Sequence, residues 1–393
     1  VDPEAPTTTL DHYRRQYHLY RSDLDLQAMH AAFPLAAIFD NHDGFTDPSD
    51  SGGAGARAAF FEQLPVRRLP TDPDRQYRSL ALGDLCELFL LDERQYRDPE
   101  PKKVGDSPPG TSSVDQPEMV APGRTMLGAD QKSWLKEGLA SSGAAWKILG
   151  SQLVFSPTRY ERLTDVQTAA GDGPQRNAGR YRGLGSWDGY QAERRELVDH
   201  VHDEGIEDLM VISGDAHVWK TSELPTDWDD PEAPLVLAEF AGTSVTSANS
   251  GEQPGALGND VIRSVLAGAN PYHLRYVEVT THGYGLIELS STGASITYVI
   301  VKSTSKPMPG SSTLARFELD RGSAAIRQVE GSGYMPRPES PEVPGTTDST
   351  DTTDTTDSPG TPEAPGTSSE SSGTEPGGAA GAEPLAGQPA YTG

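Results

Sequence analysis

The sequence predicts an α/β domain followed by an unstructured tail. Segments with helical spacing of apolar residues alternate with short apolar runs of strand length, and this alternation is typical of α/β folds. Two of the apolar runs stop abruptly and are followed at once by side chains that can bind metal ions. In this class of fold, sites lie beyond the carboxyl ends of the strands, so the pattern also predicts where a site should be.

Composition narrows the classes of function. The chain has 393 residues, with 58 acidic and 32 basic residues and a formal net charge of −26. This excess of negative charge argues against sequence-specific nucleic-acid binding, although a small phosphodiester could still be a substrate. No apolar run reaches the roughly 18 residues of a membrane span, and no basic-then-apolar leader opens the chain. The single cysteine, Cys86, excludes an internal disulfide.

The first segments predict a helix, a strand and a loop. Apolar residues at helical spacing indicate one helix over residues 10–32, ending before Phe33-Pro34 because proline disfavours helical geometry in the residue before it. The compact apolar run 35–39 predicts a strand that ends at Asp40. Residues 46–58 are rich in Gly, Ser and Ala, and we expect a mobile loop near the site.

The central segments continue the alternation. Residues 77–92 predict a hairpin of two strands with the second one buried, and an amphipathic helix should follow from Leu127 to the Ser142-Gly143 stop. Short strands are expected at 146–150 and 153–155. A helix through residues 193–201 then leads into the strand 209–212.

The remaining segments predict strands and then a tail. Residues 235–240 should form another strand, and three segments with a period of two indicate an antiparallel meander, namely 275–280, 285–289 and 295–301. The predicted domain spans residues 1–302, and 303–334 forms a terminal hairpin or a linker. Residues 335–393 are rich in Thr, Pro, Gly and Asp and bury too little apolar surface to fold, so we predict a disordered tail.

Five polar residues are candidates for a shared site. Asp215 and His217 follow the strand 209–212, Asn41 and His42 follow the run 35–39, and Asp188 precedes a helix. Oxygen and imidazole donors suit hard divalent cations or iron, and two such metals could clamp the attacking and leaving oxygens of a phosphoryl transfer. His42, on an extended segment and facing away from Asn41, could protonate the leaving group.

Structural roles compete with these interpretations. Gly-Asp-x-His alone could form a loop or a cap, and Asn41-His42 could form a turn; the parallel placement of the two pairs after strands favours a shared site. The thiol of Cys86 and the nearby carboxylates of Asp84 and Glu87 lie within the predicted hairpin and are expected to be structural. Six further histidines are expected to lie on helix surfaces or, for His282, to serve a turn: His12, His18, His30, His200, His202 and His282.

Five motifs occur in order along the chain: Phe39-Asp40-Asn41-His42-Asp43, Leu91-Asp92-Glu93-Arg94-Gln95-Tyr96-Arg97, Arg124-Thr125-Met126-Leu127-Gly128, Trp187-Asp188-Gly189-Tyr190 and Ser213-Gly214-Asp215-Ala216-His217. Together, over about residues 10–300, they resemble the PhoD-like alkaline phosphatases of the metallophosphoesterase superfamily.

The resemblance implies a fold and an activity. It implies a four-layer α/β/β/α sandwich and a secreted enzyme that hydrolyses phosphate monoesters and diesters by metal-activated hydroxide, with calcium and iron as cofactors. Asp188, Asp215 and His217 fall on metal-ligand positions of the family, and Asn41 replaces the usual aspartate there. His42 matches the histidine next to the phosphate. The expected partners are small phosphate esters, and the expected state is a monomer.

The family also uses a cysteine, an aspartate and a tyrosine from segments upstream of Val1, and no residues of this chain match them. The chain therefore resembles a domain that is truncated at its N-terminus and lacks the first strands. Two other hypotheses stay open. One is a catalytically impaired fragment or a secreted, non-enzymatic surface protein whose acidic tail is a spacer, and the other is a hydrolase of the same fold acting on another ester.

Overall fold

Two β-sheets pack face to face, and helices cover one face of the larger sheet. The computed structural model describes residues 9–44, 53–101, 118–162, 179–181, 183–252, 256–306 and 309–338. All of them belong to one compact unit that ends at Ser340. Within these ranges no helix combines the length and the apolar character that crossing a bilayer requires.

The larger sheet has seven strands, which are β1 Arg78–Leu82, β2 Cys86–Leu90, β3 Trp146–Gly150, β6 Leu209–Ser213, β7 Trp219–Pro225, β8 Leu235–Ala241 and β9 Leu274–Glu278. Their order across the sheet is β1-β2-β3-β6-β8-β7-β9. Neighbours β2, β3, β6 and β8 run parallel, while β7 is antiparallel to both β8 and β9. The carboxyl ends of β2, β3, β6, β8 and β9 therefore meet at one edge.

The smaller sheet is an antiparallel meander of four strands in the order β10-β11-β12-β13. Its outer face carries Tyr284 and Leu286, which are exposed. A separate antiparallel pair, β4 and β5, lies between β3 and β6 in the chain. The bounds are β4 Arg159–Arg162, β5 Gly179–Tyr181, β10 Gly283–Leu289, β11 Gly293–Val301, β12 Ser311–Asp320 and β13 Arg327–Gly331.

The helices of the domain begin with α1 Leu10–Tyr20, α2 Leu24–Ala32 and α3 Gly53–Gln63. Next come α4 Gly128–Ser141, α5 Gln191–Asp203 and α6 Asn259–Ala269. Leu135 and Leu139 of α4, and Leu197, Val198 and Val201 of α5, join one apolar cluster with β2, β3 and β6. Burial of this face stabilises the two helices against the sheet.

Aromatic residues fill the space between the two sheets. Trp219 of the large sheet stacks on Tyr298 of the small sheet with ring centroids 4.4 Å apart, and Tyr298 meets Phe317 edge-on at 5.3 Å. Cys86 is buried in the same cluster, as expected for a core residue. These contacts fix the small sheet against the face of the large sheet that lies opposite α4 and α5.

The structure confirms the α/β class, the hairpin of β1 and β2, the helices α4 and α5, and the strands β3, β6 and β8. The predicted terminal hairpin is present as β12 and β13, in the same sheet as β10 and β11. The backbone N–H of Met335 donates to the carbonyl oxygen of Arg275, so the ordered chain continues past the predicted start of the tail at residue 335. Residues 339–393 lie outside the described residues.

Five local predictions were wrong. The helix predicted over 10–32 is divided into α1 and α2, because Ser22 hydrogen-bonds back to Leu19 and Asp23 caps the second helix through the N–H of Leu26. The part of 46–58 that is described forms α3 from Gly53 onward, and residues 45–52 lie outside the described residues. Neither 35–39 nor 153–155 is a strand, and β9 belongs to the large sheet rather than to the meander.

Candidate active site at the carboxyl edge of the large sheet

Polar side chains collect where the strands of the large sheet end. The segment after β2 carries Arg94, the segment after β3 carries Gln152, and the segment after β6 carries Asp215 and His217. His282 follows β9 at the same edge. The topology thus brings together residues that are far apart in the sequence, as expected for a site in an open α/β sheet.

Arg94 joins two of the predicted site segments. Its side chain is 5% exposed, its Nε donates to Asp40 Oδ1 at 2.5 Å, and its Nη2 donates to Asp215 Oδ1 at 2.9 Å. The guanidinium therefore holds the segment that bears Asn41 and His42 next to the segment that bears Asp215. Burial raises the pKa of Asp215, and the negative charge of Asp40 raises it further, against the opposing charge of Arg94.

Asn41 and His42 lie in a 3₁₀ turn, Asn41–Asp43, and not on an extended segment as predicted. Asp43 closes this turn by accepting from the backbone N–H of Asp40 at 2.9 Å and from Tyr17 Oη at 2.9 Å. Burial raises the pKa values of both Asp43 and Tyr17. The contact with Tyr17 of α1 fixes the turn, and the His42 residue itself is exposed.

The segment after β6 holds Asp215 and His217 in an unusual backbone conformation. Their φ angles are 65° and 52°, in the left-handed region that residues other than glycine rarely adopt. Such strain is concentrated at functional sites because the surrounding structure must stabilise it. The backbone that carries the two residues predicted to act together is therefore in a conformation that the surrounding structure must stabilise.

One ring nitrogen of His217 hydrogen-bonds to the backbone. His217 Nδ1 lies 2.7 Å from the carbonyl oxygen of Ala248, and a carbonyl oxygen can only accept. Nδ1 must therefore carry the proton, which leaves the lone pair of Nε2 free in the neutral ring. This is the arrangement in which histidine commonly binds metal ions in proteins.

Asp188 occupies a buried ion pair. It lies in the 3₁₀ turn Trp187–Gly189, is 4% exposed, and accepts from Arg194 Nη1 at 2.8 Å and from the N–H of Thr158 at 3.4 Å. Burial raises the pKa of Asp188, although Arg194 opposes this shift. Among the described contacts, none joins Asp188 to Asp215 or His217.

Glu93 connects the neighbourhood of Asp188 with that of Arg94. Its Oε1 accepts from Ser151 Oγ at 2.6 Å and from Trp187 Nε1 at 2.9 Å, and its Oε2 accepts from the N–H of Leu153 at 2.7 Å. Burial raises the pKa of Glu93 to about 7. A single buried carboxyl group thus ties together the segments after β2 and β3 and the turn that carries Asp188.

Two buried charged residues, Lys220 and Glu239, hydrogen-bond to the segment that follows β3. Lys220 Nζ donates to the carbonyl oxygens of Ser156 and Pro157, both at 3.0 Å, and to Thr158 Oγ1 at 2.7 Å. Glu239 accepts from the N–H groups of Phe155 and Ser156 and from Ser213 Oγ. Burial lowers the pKa of Lys220 to about 8. The backbone that approaches Asp188 is therefore positioned by two buried charged groups.

The donor set fits part of a metal site. His217 Nε2 and the carboxylate of Asp215 are the nitrogen and oxygen donors that calcium-like cations or iron accept. Across the described residues, however, no group of three or more His, Cys, Asp and Glu is close enough to hold a metal ion. Asp188 is paired with Arg194, so as placed it does not complete the set.

A family model described as PhoD-like phosphatase matches residues 1–298. The chain belongs to the PhoD-like phosphatase family. The resemblance drawn from the five motifs is thereby confirmed, and the α/β fold is the one expected for that family.

Two relatives extend this assignment of a PhoD-like phosphatase. Alkaline phosphatase D of Bacillus subtilis (strain 168) is 29% identical over 344 residues, which cover 84% of this chain and 54% of that protein. A solved structure described as "Structure of PhoD" matches with a TM-score of 0.71 at 28% identity, covering 84% of this chain and 61% of that one. The chain therefore spans less than two thirds of the length of either relative.

Sequence reasoning assigned no role to Asp40, Glu93 or Arg94. A signal for the last two exists, because Asp92-Glu93-Arg94 follows the buried strand β2 in the same way that Asp215 follows β6. Charged residues that directly follow a buried parallel strand are candidates for a functional site wherever they occur in a chain. Asp40 carries the same signal in the sequence, because it follows the apolar run 35–39 that predicts a strand, although the structure has no strand there.

Proposed function

We propose that this PhoD-like phosphatase chain hydrolyses phosphate monoesters and diesters at the carboxyl edge of its large sheet. The observation that carries the proposal is the conformation of the segment after β6. It holds Asp215 and His217 in the left-handed region and fixes His217 with Nε2 free. Family membership adds the reaction class, since the relatives that match are alkaline phosphatase D and PhoD.

The proposed cofactors are calcium and iron. Asp215 and His217 would bind one cation, with Asn41 and Asp188 as the further predicted ligands. When bound, such cations supply Lewis acidity and lower the pKa of water to give a hydroxide nucleophile. For Asp188 to take part, its carboxylate would have to bind metal while it remains next to Arg194, or exchange that partner.

The residues of this chain perform the remaining tasks. Arg94 balances part of the negative charge of Asp40 and Asp215 and keeps the turn Asn41–Asp43 beside the segment after β6. His42, exposed on that turn, would donate a proton to the leaving oxygen of the ester. The substrate would thus lie between His42 and His217. We further propose a monomeric, secreted enzyme, on the strength of the family alone.

A second proposal is a catalytically impaired domain, which the incomplete donor set favours. One experiment separates the two. Hydrolysis of p-nitrophenyl phosphate, with Ca²⁺ and Fe³⁺ supplied, is compared between the full chain, His217→Ala and His202→Ala, an exposed histidine of α5 that serves as the matched control. The enzyme proposal predicts activity that His217→Ala removes and His202→Ala leaves unchanged. An inactive chain that still retains bound metal by elemental analysis would support the impaired domain instead.

A further inference from the structure

A further histidine near the same edge, His282, is buried, and none of its described hydrogen bonds reaches Asp215, His217 or the turn Asn41–Asp43. It is 8% exposed and lies between β9 and β10, immediately before Gly283, where the sequence predicts a residue that serves its own turn. The structure shows other partners. His282 Nδ1 lies 3.1 Å from both the carbonyl oxygen and the Oγ of Ser244, and Nε2 lies 3.3 Å from Asn249 Nδ2 and 3.1 Å from Glu252 Oε2. The ring therefore contacts both ends of the segment 244–252.

The polar partners of His282 are themselves fixed. Asn249 is fully buried, and its Oδ1 accepts from the N–H of Gly251 at 3.0 Å, so its Nδ2 must face His282. Glu252 Oε2 also accepts from the backbone N–H of Asn249 at 3.0 Å. Ser244 Oγ donates to the carbonyl oxygen of Ser247, and His282 Nδ1 is left to donate to Ser244. With Nδ1 as the donor, Nε2 of the neutral ring accepts from Asn249 Nδ2, and the contacts with Ser244 and Asn249 together give the ring one preferred orientation.

Backbone contacts anchor the same segment on the residues around His282. Gly283 donates to the carbonyl oxygen of Ser244 at 3.2 Å, and Gly251 donates to that of Val279 at 2.9 Å. A Cβ at Gly251 would lie 2.9 Å from the Val279 oxygen, so the close approach requires glycine there. The segment is thus held at both ends, with Ala248 between the two anchors.

Ala248 supplies the carbonyl oxygen that accepts from His217 Nδ1. We propose that His282 is a positioning residue for His217: by fixing the segment 244–252 it places the Ala248 carbonyl, which sets the tautomer and the ring orientation of His217. This inference rests on the proposed function, because it gives His217 Nε2 the task of binding a cation. It adds an outer support for that ligand, made of Ser244, Asn249, Glu252 and His282.

The physical reason lies in how ligating histidines are held. A ring that donates its other N–H to a fixed acceptor has one tautomer and one orientation, and loss of such a partner typically costs about 10- to 100-fold in metal affinity. If the segment 244–252 loosens, the Ala248 carbonyl no longer holds the ring of His217. The Ala248 carbonyl oxygen is the hydrogen-bond partner described for the ring of His217, so the position of that carbonyl decides how the ring is oriented.

The test compares three variants of the full chain. His282→Leu keeps the approximate size of the side chain and removes every hydrogen bond of the imidazole ring. His282→Gln places an amide near the position of Nε2 and can still pair with Asn249 or Glu252. His202→Leu is the matched control on α5. The probe is Mn²⁺, whose free and bound forms are distinguished by electron paramagnetic resonance, and amide hydrogen exchange reports on residues 244–252.

We expect His282→Leu to bind Mn²⁺ more weakly by up to about 10-fold, because it acts on His217 only through the Ala248 carbonyl, and to exchange amides 244–252 faster. His282→Gln should recover most of both losses, and His202→Leu should match the wild type. Faster exchange with unchanged Mn²⁺ affinity would overturn the inference, as would a wild type that binds no Mn²⁺. If His282→Leu does not fold, Asn249→Ala tests the same support and should weaken binding in the same direction. Absence of phosphate-ester hydrolysis in a wild type whose Mn²⁺ affinity depends on His282 would count against the proposed function alone.

Discussion

Arg94 lies between Asp40 and Asp215, and it donates to one oxygen of each, at 2.5 Å and 2.9 Å. The two carboxylates are far apart in the sequence and belong to the two segments that carry all but one of the predicted site residues. One buried guanidinium therefore links the two halves of the candidate site and balances part of their charge. The consequences of this link can be measured.

Replacement of Arg94 by methionine should destabilise the domain. The variant leaves two carboxylates close together without their shared cation, but both carboxylates are about a third exposed, so water offsets part of the loss. We expect the free energy of unfolding in urea to fall by about 2 kcal/mol. Arg316→Met, which breaks the exposed pair with Glu330, is the matched control and should change it by less than about 0.5 kcal/mol. Equal effects of the two variants would show that the bridge is not a structural link.

Glu93 should make stability depend on pH. Its pKa is raised from 4.5 to about 7 in the folded chain, so the folded state binds more protons than the unfolded state between these values. Stability from this group is present below pH 4.5 and is lost as pH rises through about 7, for a total of about 3 kcal/mol. Urea unfolding of the wild type and of Glu93→Gln from pH 5 to pH 8 tests this. The difference in stability between the two should shift in favour of the variant as pH rises, and parallel curves would refute the assignment.

The proposed role of His42 predicts a dependence on the leaving group. A general acid matters most when the departing oxygen is basic, so His42→Ala should slow phenyl phosphate hydrolysis by about 100-fold and p-nitrophenyl phosphate hydrolysis by less than about 10-fold. The measurement is kcat/KM for both esters. His18→Ala, an exposed histidine of α1, should leave both values unchanged. Equal losses with the two esters would mean that His42 binds substrate or positions the turn rather than donating the proton.

The sequence predicted the fold best where a strand is apolar and packs against helices. Strands β2, β3 and β6 are apolar runs buried against α4 and α5, and their positions follow from that pattern. Strand β7 escaped prediction because it contains Lys220 and Glu223, which look like surface residues but are buried with partners from distant segments. The run that ends at Phe39 has the composition of a strand but is not paired in a sheet. The backbone N–H of Phe39 donates to the side chain of Gln76, and its carbonyl oxygen accepts from the side chain of Gln152.

The candidate site was partly predictable for the same reason. Asp215 and His217 follow a recognisable strand, and their placement at the carboxyl edge agrees with the sequence. The pairing of Asp188 with Arg194 was not predictable, because it depends on how α5 packs against the turn that precedes it. The link through Arg94 likewise depends on which strands become neighbours, and no local pattern encodes that order.

The most direct test of the central claim is hydrolysis of bis-p-nitrophenyl phosphate by the full chain and by Asp215→Asn, with Ca²⁺ and Fe³⁺ supplied. Asparagine keeps an oxygen that can accept from Arg94 Nη2, so the variant removes the charge with little change of structure. Asp203→Asn, an exposed site on α5, is the control. We predict that kcat/KM falls at least about 100-fold in Asp215→Asn and is unchanged in Asp203→Asn. Equal rates for the wild type and Asp215→Asn would contradict a phosphoesterase site at this edge of the sheet.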